Sequence, residues 1–182
     1  MKIALILLAL LSLSAVAQTP KGKGKRPRAP LPDTVEMRPV TVFSDGTRMA
    51  GDLYKPKNLT AEDKLPAIVL CAGTGGTKGG TQARLAPRFA EKGYIVLAFD
   101  YRGWGMSESL LMATERQPNP DANNEMTLKV KALRWQMNYA YQTEDIRAAI
   151  SFVAGEPNVA PGYFERPNVF MLPHIGSSTI EA

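Results

Sequence analysis

One cysteine and one histidine, Cys71 and His174, are all that the 182 residues contain of either type. A lone thiol closes no disulfide within the chain and has no second cysteine with which to share a metal or a redox cycle. Cys71 lies in the apolar run "LPAIVLCAG" and reads as a small buried hydrophobe. Long hydrophobic runs are scarce as well. "IALILLALLSLSAV" falls short of the roughly 20 residues that cross a bilayer comfortably. Phosphate-binding glycine signatures are missing. The run Gly73-Thr74-Gly75-Gly76-Thr77-Lys78-Gly79-Gly80 meets neither the Walker spacing nor the dinucleotide fingerprint. Acid is absent from "KGKGKRPRAP", whose Lys21, Lys23, Lys25, Arg26 and Arg28 account for a net charge of +5. The excess is thus a property of one segment, not of a surface that reads nucleic acid.

Residues 1–17 have the layout of a secretory signal. Lys2 supplies the positive start, the apolar run follows, and Ala15-Val16-Ala17 offers the small residues a signal peptidase needs. An uncleaved anchor is the alternative. The expectation is a secreted or periplasmic protein without stable membrane insertion after cleavage. Residues 18–34, rich in Gly, Pro and Lys, are expected to be a basic disordered linker.

From Val35 onward the pattern is that of an α/β protein. "VEMRPVTVF" and "TRMAGDLYKP" flank Ser44-Asp45-Gly46, a hairpin signal. "LPAIVLCAG" and "YIVLAFD" read as strands buried on both faces. Between them "TQARLAPRFAEKG" has helical spacing through Leu85 and Phe89, with Ala86 and Ala90 beside them, and Gly93 is placed to end it. This is a right-handed βαβ unit. Residues from Arg102 to about Tyr139 read as loop. "TEDIRAAISFVAGEP" predicts a helix capped by Thr143. Glu144 and Asp145 favour its start, and Ile146, Ala149, Ile150 and Val153 form one face. "NVFML" is a candidate strand cut short by Pro173.

Glycine clusters at the carboxyl ends of parallel strands are where open α/β sheets place ligands. The first cluster, from Cys71 to Gly80, suits an oxyanion turn. The second, "FDYRGWGMSES", follows the next strand. Together these segments resemble the α/β-hydrolase superfamily, in particular exported esterases and peptidase-like relatives. The motifs there run "HGxGGTKG" and "DYRGxGxS", and the resemblance covers residues 40–157. It implies an incomplete α/β-hydrolase fold in which an N-terminal antiparallel hairpin leads into a parallel sheet flanked by helices. It also implies ester hydrolysis by acyl transfer on a small-molecule ester, without a cofactor or metal. Thr74, with Gly75, takes the oxyanion position through backbone N–H. Asp100, Arg102, Gly103 and Gly105 shape the second turn, and Ser107 matches a structural serine. Ala72 stands where relatives commonly have His.

The family's nucleophile elbow needs strand, G-x-S-x-G, then helix. Gly176-Ser177-Ser178-Thr179-Ile180 offers Ser178 as a weak nucleophile candidate, with Ile180 where a small residue belongs and Pro173 in the delivering strand. Residues 155–182, "GEPNVAPGYFERPNVFMLPHIGSSTIEA", resemble instead the catalytic tail of the D-2-hydroxyacid dehydrogenases of the glyoxylate and hydroxypyruvate reductase type. In that resemblance His174 is the acid/base. The two likenesses meet at "AGEPNV", as a join between unrelated coding sequences would. The domains expected are therefore a signal (1–17), a linker (18–34), the N-terminal part of a hydrolase domain (35–157) and a dehydrogenase-like tail (158–182). Three functions follow: an α/β-hydrolase-family protein, truncated or fused and lacking a complete catalytic triad; an NAD(P)-dependent 2-hydroxyacid dehydrogenase or glyoxylate reductase fragment; and a non-catalytic chimeric fragment. A sheet left open at its last strand is expected to associate through that edge.

Overall fold

A computed structural model describes residues 30–161. Strands β1 (Val35–Ser44) and β2 (Thr47–Pro56) form the antiparallel hairpin. Asp45 and Gly46 take φ of 45° and 74°, the left-handed pair that a two-residue hairpin turn needs. Strand β3 (Ala67–Leu70), helix α1 (Gln82–Ala90) and strand β4 (Ile95–Phe99) follow as the expected βαβ unit, with β3 and β4 parallel. β4 pairs on its other side with β2, antiparallel, so the sheet runs β1-β2-β4-β3.

β4 organises the core because period-two alternation sends its apolar residues to both faces. Ile95, Leu97 and Phe99 pack with Val42, Met49, Leu53 and, from helix α2 (Tyr139–Ala154), Ala149 and Val153. Val96 and Ala98 pack on the other face with Val35, Tyr54 and, from α1, Ala86 and Ala90. Each large side chain so buried contributes about 1.5–3 kcal/mol relative to exposure. One helix on each face of a mixed sheet is the hydrolase-type arrangement the sequence implied.

Several local expectations need correction. β3 is half-buried along its length, not sealed on both faces, because among the described residues it is the last full strand of its sheet, and Cys71 is likewise half-buried. The buried stripe of α1 is Gln82, Ala83, Ala86 and Ala90, while Leu85 faces solvent. Alanines let the helix lie close to the sheet. The stretch after Arg102 is not all loop: strands β5 (Leu111–Ala113) and β6 (Val130–Ala132) pair antiparallel as a small exposed ribbon. α2 begins four residues before Thr143. Asn138 caps it by accepting a hydrogen bond from the Tyr141 N–H, and the Thr143 hydroxyl donates back to the Tyr139 carbonyl at 2.8 Å.

Beyond α2 the chain returns to β3. Leu65 N–H donates to the Asn158 carbonyl at 2.8 Å and Ala160 N–H donates to the Leu65 carbonyl at 2.9 Å, a parallel bridge. The Asn158 side chain donates to the carbonyls of Thr60 and Asp63, and Lys64 Nζ donates to the Pro157 carbonyl. The chain leaving α2 is thereby delivered to the side of β3 away from β4. "NVFML", Pro173, His174, Ser178 and the proposed signal lie outside the described residues.

Candidate functional site

Two loops leave the carboxyl ends of the parallel strands side by side. The second, after β4, is organised by Asp100, which is 1% exposed. Its Oδ2 accepts the Met106 N–H at 2.9 Å and its Oδ1 accepts the Lys78 N–H at 2.6 Å, so one carboxylate ties this loop to the glycine loop. Gly105, at φ 47°, lies against that carboxylate: a Cβ there would stand 2.2 Å from Asp100 Oδ2. Ser107 is buried, donates its hydroxyl to the Asp100 carbonyl at 2.6 Å and accepts the Ala50 N–H at 2.9 Å. Both sides of the oxygen are committed to backbone, which makes Ser107 a structural serine, as its motif position implied. Arg134, from beyond the ribbon, caps the loop by donating to the carbonyls of Gly105 and Ser107.

Arg102 extends the frame inward. Its Nε donates to Asp145 Oδ1 at 2.7 Å and its backbone N–H to Asp145 Oδ2 at 3.0 Å. The second arm of the guanidinium reaches Ser44 Oγ at 2.5 Å and Asp45 Oδ2 at 3.1 Å, and Tyr141 stacks over it at 5.0 Å. Burial alone would lower the guanidinium pKa, but hydrogen bonding and charge from Asp145, with Asp45 adding to them, leave it raised. One residue thus joins the β1–β2 turn, the β4 loop and α2. Asp145, read from sequence as an acid favouring a helix start, is fully buried in mid-helix as the partner of Arg102.

The first loop, after β3, has a different character. Gly76 N–H donates to the Gly73 carbonyl at 2.8 Å, closing a turn with Thr74 and Gly75 at its centre. Gly75 takes φ 72°, the left-handed value a type II turn requires at its third position. Thr74 and Gly75 are exposed, and among the described residues neither N–H has an acceptor. The loop is anchored at its two ends. Upstream, Gln82 Nε2 donates to the Cys71 carbonyl at 3.2 Å. Downstream, Lys78 Nζ donates to Asp52 Oδ1 at 2.8 Å. Ala72 is buried.

The Cys71 thiol and the Tyr101 hydroxyl interact, and burial pushes both pKa values up. Cys71 is therefore held as a neutral thiol. A small cavity beside Arg102 is lined by Leu110, Leu133, Gln136, Asn138, Tyr141 and Gln142. It borders the frame and not the Thr74 turn. Sequence reasoning singled out Thr74, Gly75, Asp100, Arg102, Gly103, Gly105 and Ser107, and the structure brings these to adjoining loops. It missed Lys78, Asp52, Arg134 and the role of Asp145. Lys78 alone was within reach, as the one charged residue of the glycine loop.

The family model of the X-Pro dipeptidyl-peptidases (S15 family) matches residues 45–146, which span the hairpin turn, both loops and the Arg102–Asp145 pair. The chain belongs to this family. An uncharacterized protein of Pseudomonas aeruginosa, PA2218, is 34% identical over 133 residues, 71% of this chain and 29% of that protein. The quorum-quenching protein AidA of Acinetobacter baumannii is 31% identical over 135 residues, 74% of this chain and 34% of that protein. This S15-family chain thus spans about a third of the length of these curated relatives. Among solved structures, an acetyl xylan esterase from Paenibacillus sp. R4 superposes with a TM-score of 0.50 at 21% identity, over 70% of this chain and 39% of that one, a likeness of α/β-hydrolase fold. A glycerate dehydrogenase of Hyphomicrobium methylovorum is 49% identical over 35 residues, 19% of this chain and 11% of that enzyme.

Proposed function

We propose that the described residues supply the oxyanion-stabilising part of an acyl-transfer site for small esters. The observation that carries this reading is the exposed Thr74–Gly75 turn, with two N–H groups lacking acceptors, at the carboxyl end of β3. In the reaction a serine oxygen attacks the ester carbonyl carbon and loses its proton to a base. The carbonyl oxygen becomes anionic and accepts hydrogen bonds from the Thr74 and Gly75 N–H groups. The tetrahedral species collapses, the alcohol leaves with a proton, and water then releases the acid from the acyl-serine. Donors already in place need no reorganisation as charge develops, and each is worth about 2.7–4 kcal/mol in well-formed sites.

Ser178 is the nucleophile candidate on this reading, and Ile180 and Pro173 oppose it. A β-branched side chain belongs poorly at the tight end of an elbow, and proline removes a ladder donor from a central strand. The chain therefore turns over short acyl esters weakly or not at all. Residues 158–182 are read as a dehydrogenase-like tail, with His174 at an inherited acid/base position, and the 35-residue likeness to a glycerate dehydrogenase supports that. A match of that length does not bring a nicotinamide site with it, so the reductase reading is not adopted. Residues 1–17 are read as an export signal, which mass spectrometry of the exported chain tests by finding Gln18 at its start.

Two measurements test the main reading. Hydrolysis of a short acyl ester is expected to stay near background and to be unchanged by Ser178→Ala; robust turnover abolished by that substitution would overturn the inactive assignment. Titration of the isotope-labelled chain with methylphosphonate, a tetrahedral anion, is expected to shift the Thr74 and Gly75 amide resonances. Silence at those two amides would overturn the oxyanion reading.

A further inference from the structure

Lys78 is held at both its polar ends by carboxylates, one from strand β2 and one from the residue just after β4. Its backbone N–H donates to Asp100 Oδ1 at 2.6 Å, and its ammonium donates to Asp52 Oδ1 at 2.8 Å. Asp52 is 4% exposed and Asp100 is 1% exposed. The register pairs Asp52 with Ala98, so Asp52 and Asp100 sit as diagonal neighbours on the α1 side of the sheet, where Tyr54, Val96 and Ala98 pack. The lysine side chain is itself only 13% exposed. An ammonium gives up its hydration to enter such a place only where a carboxylate receives it.

The placement matters because of what lies just ahead of it. Thr74 and Gly75 are separated from Lys78 by Gly76 and Thr77, and a Cβ built on Gly75 meets nothing within 4 Å. Side-chain packing does not fix this turn. Its closing hydrogen bond, Gly76 N–H to the Gly73 carbonyl, sets its shape and not its direction. Direction comes from the anchors, and the downstream anchor is Lys78, clamped between β2 and the end of β4. A conformationally free glycine run needs such a clamp to hold donors in one orientation.

We infer that Lys78 is a positioning residue: its ammonium, locked on Asp52, aims the Thr74 and Gly75 N–H groups at the anionic oxygen of an ester's tetrahedral intermediate. The inference rests on the oxyanion reading above and extends it to the residues that hold the turn.

The test uses the full-length chain, methylphosphonate as the anion, and amide hydrogen exchange as a second readout. Lys78→Met is expected to weaken the response at Thr74 and Gly75 by at least about tenfold, the lower end of what loss of one charged hydrogen bond brings. It is also expected to speed exchange of the hydrogen-bonded Gly76 and Lys78 amides while leaving Val96 and Leu97 in β4 protected as before. A merely structural residue would lower protection in β4 as well. Because Lys78→Met takes the ammonium away from the buried Asp52 carboxylate, the double variant Asp52→Asn, Lys78→Met removes both charges of the pair together. It is expected to fold and to show the same weakened response. Wild-type-like titration and exchange in the double variant would overturn the inference while leaving the oxyanion reading intact. Absence of any response in the unsubstituted chain would overturn both.

Discussion

The loop after β4 and the loop after β3 leave neighbouring parallel strands, and both are rich in glycine, yet they spend their hydrogen-bonding groups differently. After β4 the donors and acceptors face inward: Asp100, Arg102 and Ser107 are buried and multiply bonded, and Arg134 closes the loop from outside. Glycine serves there to let the backbone approach a carboxylate, as at Gly105, or a carbonyl, as at Gly103, where a Cβ would stand 2.6 Å from the Leu133 oxygen. After β3 the exposed Thr74 and Gly75 instead keep N–H groups without acceptors among the described residues, with the anchoring relegated to Gln82 and Lys78. The loop after β4 is a frame, and the loop after β3 is a surface held by that frame. The contrast separates substitutions that cost stability from those that cost only binding.

The largest effect is expected at Asp145. Asp145→Ala strands the buried Arg102 guanidinium, and loss of one partner from a buried pair costs about 3–5 kcal/mol. Urea denaturation followed by circular dichroism measures it, and a loss close to that of an exposed pair would show that Ser44 and Asp45 suffice to hold Arg102. Next comes Gly105→Ala. A non-glycine residue at positive φ costs about 1–2 kcal/mol before the collision with Asp100 is added, so a loss of at least about 2 kcal/mol is expected in the same assay.

Alkaline pH should act on the floor between the two loops. The Cys71 thiol and the Tyr101 hydroxyl are raised by burial from ordinary values of 9.0 and 10.0. A raised pKa means that the unfolded chain releases its proton first. The stabilising contribution is complete below pH 9 and is lost progressively as pH climbs through 10 and beyond. Denaturation midpoints at neutral pH and above pH 10 should therefore differ, and the double variant Cys71→Ala, Tyr101→Phe should flatten the difference. The smallest effect on stability belongs to Thr74. Thr74→Ala at this exposed site is expected to change stability by no more than about 0.5 kcal/mol and to keep the anion response, since the N–H remains. Thr74→Pro keeps a residue suited to that turn position but deletes the donor, and should abolish the Thr74 contribution to the methylphosphonate response.

Much of this is legible in the sequence alone. Asp45-Gly46 between two β-type runs, two apolar strands around one helix, and Gly93 after it, at φ 85°, all announce themselves through short-range chemistry. So do the residues of the two loops, because glycine clusters after buried strands have few other uses. What escaped reading depended on partners far along the chain. Asp145 lies in a sequence that suits a helix start, and its burial follows from an arginine 43 residues earlier. The ribbon of β5 and β6 pairs three-residue strands too short to show a period. Leu85 is the more hydrophobic residue of α1, yet Ala86 and Ala90 face the core, because helix-to-sheet distance and not hydropathy chose the face.

The sequence by itself determined the order and kind of the main elements, the hydrolase-type frame and the identity of the turn that offers free N–H groups, since each is written in local period and turn chemistry. Tertiary structure alone decided which charges would be buried together and how that turn would be aimed. A buried ion pair such as Lys78–Asp52 exists only once a sheet register has set two distant residues side by side and excluded water from between them.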